Sequence, residues 1–421
     1  MILSDIRLYT WVDVEEVLLR MQEQDKWPKW LVWARCYWDE LRIGIRPGNQ
    51  ELAKNWLSEV YAPRFRIDAD REMASNSIIL ESLSQSERIL PVLFEETQEE
   101  LPLLKLIPSL SKPGVIWQSR QELQPPEILT SDFPPVVAFH SFKGGVGCTT
   151  HALALAKALT NAKYQVLLVD GDLEAPGISW VFERSLPHPD VCFADLLALA
   201  HGDPSPTAES TVQLVVDRLQ SSLIDGIYVL PSFRSNSEFT SLEIRPEHLI
   251  QGAKNPFLLT QLLASVGKAL GVDFVLVDLR AGLSELATGL ILDPRVYRVF
   301  VTTLSAQSIS GTIQLLELVG SRAASKREED PLPALIFTQV PEDEQLQDLF
   351  KEAEDKLLEA AQPFLVEDDE PLRVITLFTS NLLILPQTWE EVTTLLQRSG
   401  IVDAVSFLLE WLPSQSTELI Q

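Results

Sequence analysis

The sequence predicts an α/β fold in which a mostly parallel sheet is flanked by helices and preceded by a small α+β domain. Two observations predict it. From residue 136 onward, continuous apolar runs (VVAFHSF, VLLVD, FVLVDLR, VYRVFVTTL, ALIFTQV, VITLF) alternate with segments of helical period such as HALALAKALTNA and PFLLTQLLASVGKALG. Strands buried on both faces and separated by helices indicate a parallel sheet. Upstream, WLVWARCYWDELRIGI (30–45) reads as one or two strands between the helical segments DVEEVLLRMQ and ELAKNWLSEVY, the pattern of a small α+β domain.

The chain of 421 residues is long enough for two or three domains. Hydrophobic residues at 46% and charged residues at 22% are ordinary globular usage, which removes collagen-like, largely disordered and coiled-coil classes. Prolines set the boundaries. PSLSKPG (108–114) and QPPEILTSDFPP (124–135) resist both helix and central strand, so we expect a domain over 1–123, a Pro-rich linker over 124–135 and a second domain over 136–421. Seven of the ten tryptophans (Trp11, Trp27, Trp30, Trp33, Trp38, Trp56, Trp117) fall in the first of these, a density that reads as core packing rather than as a site. In the second, the acidic segment 341–362 has helical spacing, with its charges on a solvated face.

Charge and cysteine usage narrow the partners. The net charge is −26, and half of it lies beyond residue 340, where four basic residues face seventeen acidic ones. Such a surface repels phosphate backbones and anionic bilayers, so neither direct nucleic-acid binding nor membrane attachment is expected. The final stretch IVDAVSFLLEWLPSQSTELIQ carries no lysine or arginine and reads as a helix packed on its own domain. Three cysteines, Cys36, Cys148 and Cys192, make no disulfide framework, and the N-terminal residues lack a basic segment followed by an apolar one. The expected location is the cytoplasm.

The strongest chemical signal is FHSFKGGVGCTTHALALAKAL, a strand ending in a glycine-rich loop that opens into a helix. Gly144, Gly145 and Gly147, with Val146 between them, let successive amide N–H groups point inward, and the helix N-terminus beginning at Cys148 adds partial positive charge toward an anion. Thr149 follows where a hydroxyl can hold Mg²⁺, and Thr150 can add a phosphate contact. The strict phosphate-loop pattern G-x-x-x-x-G-K-[ST] fails at Phe142, which replaces the first glycine, and at Cys148, which replaces the lysine. Two more strands end in acids: VLLVDGDLEAPGISW presents Asp170 and Asp172, and DFVLVDLRAGLSELATG presents Asp278, followed by Gly282.

With Lys143 ahead of the glycines, the loop resembles the deviant Walker A motif KGGxGK[ST] of ParA/MinD-class ATPases, within the SIMIBI group of P-loop NTPases. It is most similar to a subgroup whose loop reads KGGVGRTT. The resemblance covers about 136–320, fades through 332–412 and leaves out the first 130 residues. It implies an ATPase that binds ATP and Mg²⁺ in a nucleotide-dependent homodimer and acts as a switch for protein partners, with hydrolysis expected to be slow because Cys148 replaces the loop lysine. Lys143 would reach the partner subunit's phosphates, Asp172 would orient the hydrolytic water, Thr149 and Asp278 would hold the metal, and Asp170 and Gly282 would line the nucleotide. The resemblance to relatives with added domains suggests a bacterial regulatory or defence system, and because it accounts for the remainder of the chain, residues 1–130 are expected to serve partner recognition, with a fixed cap that completes the ATPase core as the alternative.

Other readings stand beside these. Asp170 or Asp278 can cap a following turn, and Arg280 can either pair with a neighbouring acid or touch nucleotide. His140 and His151 flank the loop and read as structural, with no spacing that suits a transition metal. A neutral thiol at Cys148 neither neutralises nor donates as lysine does. A catalytically silent nucleotide-binding adaptor is therefore the alternative, and a DNA- or membrane-positioning ATPase the weaker one.

Overall fold

In a computed structural model the chain divides into two compact units, Met1–Gln118 and Ser119–Gln421. The described residues are 7–37, 40–68, 75–81, 88–98, 126–202, 208–239, 257–323, 330–340, 347–361, 372–377 and 388–413. The stretch 108–114, positions 124–125, the ends of the acidic segment at 341–346 and 362, Trp38 and Trp117 lie outside them.

Among the described residues, the first unit is a five-stranded sheet with the helices Trp11–Glu23 and Gln50–Val60. Its strands are β1 (Leu31–Cys36), β2 (Leu41–Ile45), β3 (Phe65–Asp68), β4 (Ser75–Leu80) and β5 (Arg88–Glu96), in the order β1-β2-β5-β4-β3. The pairs are antiparallel except β2 with β5. Alternation on β5 sends Leu90 and Val92 inward, against Val14, Leu18, Ala53 and Leu57 of the helices. Trp11, Trp27, Trp30 and Trp56 pack on this core and Trp33 is buried, so the described tryptophans are packing residues.

The second unit is an eight-stranded sheet. Its strands are β6 (Val136–His140), β7 (Val166–Asp170), β8 (Leu223–Ile224), β9 (Ile227–Leu230), β10 (Phe274–Asp278), β11 (Tyr297–Thr302), β12 (Ala334–Val340) and β13 (Leu372–Leu377). They lie in the order β13-β12-β11-β6-β10-β7-β9-β8, parallel throughout except for the β8–β9 hairpin. Every residue of β6, β7 and β10 is buried, as the unbroken apolar runs require. Alternate side chains serve two cores. Val137, Phe139, Leu168, Leu276 and Val299 pack with the helices Cys148–Asn161, Trp389–Arg398 and Ile401–Ser406, while Val275 on the other face meets Gly267 of the helix Leu258–Leu270. The C-terminal helices enter the first of these cores through Trp389, Val405 and Leu408. Among the described residues no single helix is long and apolar enough to cross a membrane, although the bent pair Trp389–Arg398 and Ile401–Trp411 passes by length and composition together.

Residues 126–135 form neither helix nor strand and run along the second unit. Arg295 donates to the Glu127 carbonyl, Asp132 pairs with Lys268, and the Lys268 ammonium sits 4.2 Å from the centre of the Phe133 ring. The described part of the linker is thus fastened to the domain it precedes.

Strand order positions the site. From β6 the chain crosses to β7 on one side of β10, and from β10 it crosses to β11 on the far side of β6. This reversal leaves a crevice beyond the carboxyl ends of β6 and β10, where ligands bind in open α/β sheets. Phe142, in the loop after β6, lays its ring on Gly311 of the helix Ala306–Arg322, in space that any Cβ at 311 would occupy.

Candidate nucleotide site

Three loops meet at that crevice: 141–147 after β6, 171–177 after β7 and 279–284 after β10. The first winds around its own amides. Ser141 Oγ donates to the Lys143 carbonyl at 3.0 Å, Val146 drops its side chain into the core, and Gly145 and Gly147 take φ of 76° and 97°, which residues with a Cβ rarely adopt. Gly147 then caps the helix Cys148–Asn161, whose first turn carries no acid and no side-chain cap. Its free N–H groups therefore face the crevice unopposed, with Gly144 and Gly145 exposed beside them and Thr150 in the first turn. His151 secures this geometry: its Nδ1 donates to the Gly147 carbonyl at 2.7 Å. Gln339, at the end of β12, donates to the Gly145 carbonyl at 3.4 Å.

The acids come next. Register places Asp278 beside Asp170 across the β10–β7 pair, so two buried carboxylates end adjacent strands. Thr149 Oγ1 donates to Asp278 Oδ2. Asp170 Oδ2 accepts the amide and hydroxyl of Ser179, each at 2.7 Å, and its Oδ1 accepts the Asp172 amide at 3.3 Å. Asp172 Oδ1 accepts the amides of Glu174 and Ala175 at 3.0 and 2.8 Å. The loop folds back so tightly that a Cβ at Gly177 would lie 2.6 Å from Thr149 Oγ1. After β10, Gly282 at φ 84° donates its amide to the Ser141 carbonyl at 2.8 Å, tying the third loop to the first.

Electrostatics follow from burial and crowding. Burial lifts Asp170 to about 6, against the pull of its Ser179 bonds. Burial, then the charges of Asp170 and Asp172, push Asp278 well above the usual carboxylate range, while Thr149 opposes them. Asp172 is raised by burial, which the amide of Ala175 and the charge of Arg280 offset in part. Cys148 is pushed far up by burial and by Asp278, so its thiol stays protonated and uncharged. The site thus has acids in excess and lacks the lysine expected at 148.

These residues suit a magnesium nucleotide. Crowded buried carboxylates call for a cation, and the amide cradle calls for an anion. Among the described residues no group of three or more His, Cys, Asp or Glu side chains is arranged to hold a metal alone, so phosphate oxygens would have to complete its coordination.

His140 and His151 are buried and pushed down to about 4, chiefly by burial; the backbone of Gly282 and Arg280 resists this for His140, and that of Gly147 for His151. An imidazole that is neutral when folded but titrates near 6.5 when unfolded loses stability as pH falls from 6.5 toward 4. Asp170 has the opposite sign: its contribution is full below the unfolded value and is lost as pH rises through about 6. From pH 7 to 5 each histidine costs up to about 2 kcal/mol, while Asp170 returns about 1.4 kcal/mol in all and Asp278, raised in the same sense, returns more. As pH falls over this range, the unfolding temperature of His140→Gln should rise relative to that of wild type. Equal pH slopes in scanning calorimetry would contradict this.

The sequence singles out Lys143, Gly144, Gly145, Val146, Gly147, Cys148, Thr149, Thr150, Asp170, Asp172, Asp278 and Gly282, and the structure gathers all of them around the three loops. It adds Ser141, Glu174, Ser179 and Gln339. Arg280 forms an ion pair with Glu174.

Residues 135–329 match a family model described as an AAA domain. No curated protein matches the chain. Among solved structures, the chain is similar to the cell-division ATPase MinD of Pyrococcus furiosus, at 21% identity and a TM-score of 0.43, over 66% of this chain and 97% of that one. It is similar to MinD of Pyrococcus horikoshii complexed with Mg-ADP, at 21% and 0.42, over 66% and 95%. It is similar also to a ParA-family ATPase of Chlorobium tepidum, at 16% and 0.42, over 65% and 98%.

Proposed function

We propose, from the AAA domain that residues 135–329 match, that this protein is a cytoplasmic Mg²⁺-ATP-dependent switch of the ParA/MinD kind, which dimerises around nucleotide and presents surfaces to protein partners. The observation that carries the reading is the convergence of an uncapped helix N-terminus, a Thr149–Asp278 hydrogen bond and a buried carboxylate cluster at the sheet's switch point. The loop amides bind the phosphates. Thr149 and Asp278 would hold Mg²⁺, which would supply positive charge to the phosphates. Asp172 orients water toward the terminal phosphate with Oδ2, which makes no hydrogen bond among the described residues. Its other oxygen is fixed by Glu174 and Ala175. The Lys143 ammonium has no ion-pair partner among the described residues, as suits a cation meant for the other subunit's nucleotide. Residues 1–130 serve partner recognition, and the −26 net charge keeps the protein off nucleic acid and anionic membranes.

The uncharged thiol at Cys148 favours a second reading, a nucleotide-binding adaptor that does not hydrolyse. Mass in solution with and without Mg²⁺-ATP, measured with phosphate release and titration calorimetry, tests both. Binding, a doubled mass and slow phosphate release are expected. Binding and doubling without release would select the adaptor, and absence of nucleotide binding would overturn both. Thr149→Ala should weaken binding in Mg²⁺ and leave metal-free binding little changed.

A further inference from the structure

The loop after β10 holds a second cation. Leu279 donates its amide to the Phe139 carbonyl at 3.0 Å, and Gly282 donates to Ser141 at 2.8 Å, so the residues around Arg280 are pinned to the phosphate loop's own backbone. Ala281 lies 4.0 Å from where a Cβ at Gly144 would stand. From this anchored position the Arg280 guanidinium reaches across the crevice to the Glu174 carboxylate, and its charge is felt at Asp172. Glu174 is itself fixed, its amide bound to Asp172. The ion pair therefore joins the second and third loops. Its side chains are 40% and 56% exposed, so the pair opens at little cost.

We propose that Arg280 is a phosphate-binding residue that supplies, from the loop after β10, the positive charge Cys148 lacks, and that Glu174 holds it in reserve until a polyphosphate takes its place. This rests on the nucleotide reading above and adds a residue to it. Three facts converge: a cysteine stands where the phosphate-loop pattern has lysine, an arginine lies between two residues whose amides bond to the backbone at 139 and 141, and its present partner is an exposed carboxylate. Guanidinium suits the exchange, because its planar fork matches phosphate oxygens as well as it matches carboxylate. The Glu174 carboxylate released in the exchange turns to solvent, so closing the site on nucleotide and opening this ion pair are one event.

The test is titration calorimetry of the full chain with Mg²⁺-ATP and, separately, with inorganic tripolyphosphate. Arg280→Ala should weaken both by about tenfold or more, since charge-assisted bonds to phosphate are among the strong ones. Glu174→Gln, which frees the guanidinium, should tighten both severalfold, and Cys148→Lys in the Arg280→Ala background should recover much of the loss. Unliganded melting temperatures of the single variants should match wild type, which separates a ligand contact from a structural one. Unchanged binding in Arg280→Ala would overturn the proposal and leave the nucleotide reading standing. Weaker ATP with unchanged tripolyphosphate would also overturn it, assigning the arginine to the nucleoside. Absence of ATP binding in wild type and in Cys148→Lys alike would overturn both.

Discussion

Cys148→Lys is expected to raise the rate of ATP hydrolysis about a hundredfold. A positioned cation that meets charge developing on a transferring phosphoryl group is worth on the order of 3 kcal/mol, and that difference is roughly two factors of ten in rate. The site is prepared for the residue. Position 148 opens a helix beneath an amide cradle and lies close enough to Asp278 for that charge to disfavour a thiolate. The same proximity favours an ammonium. Single-turnover phosphate release, measured at saturating Mg²⁺-ATP so that affinity does not enter, is the decisive measurement. A variant that binds ATP and releases phosphate no faster than wild type would overturn this expectation, and a larger gain in the Arg280→Ala background would measure what Arg280 contributes in wild type.

Asp278→Asn should separate stability from binding. In the absence of ligand, Asp278 is a buried carboxylate beside two others, with Thr149 as its hydrogen-bond donor. An amide of nearly the same shape keeps the Thr149 contact through its carbonyl oxygen and removes a charge that burial opposes. The unliganded variant should gain on the order of 1 kcal/mol at pH 7.5, about 2–4 °C in melting temperature. It should also lose most of its Mg²⁺-dependent ATP affinity. The stabilisation should shrink as pH falls, because the wild-type carboxyl then takes up its own proton and the two proteins converge. A variant that melts lower than wild type at pH 7.5 would show that the carboxylate is compensated within the chain.

Much of this site is legible in the sequence, for a local reason. Strand, glycine loop and helix are consecutive from Val136 to Asn161, so the cradle follows from chain order alone, and Asp170 and Asp278 are marked by the apolar runs they end. The Glu174–Arg280 pair joins residues more than a hundred positions apart, and which acid Arg280 meets depends on sheet order, which periodicity does not encode. Gln339 reaches the loop from β12 for the same reason. The hairpin β8–β9 has a short-range signal: Asp225 and Gly226, with φ of 50° and 83°, form the Asp-Gly turn that joins two antiparallel strands. Its strands of two and four residues are too short for periodicity to register. In the first unit β3 to β5 are interrupted by polar residues, so only the run over 30–45 stands out as strand. Asp170 illustrates ambiguity that chain order leaves and geometry narrows: one oxygen accepts from Asp172 in the loop that follows and the other from Ser179 in the helix Ile178–Phe182 after it, as a capping acid's would.

The packing of Phe142 on Gly311 binds two distant positions into one heritable unit. A mutation that gives residue 311 a side chain drives it into the aromatic ring, and the ring belongs to the loop that forms the cradle. Such a change reaches the candidate nucleotide site from a buried position on a packed helix without touching a ligand. Lineages that descend from this sequence should therefore keep the phenylalanine and the glycine together or exchange them together, with a small residue appearing at 142 before bulk is tolerated at 311.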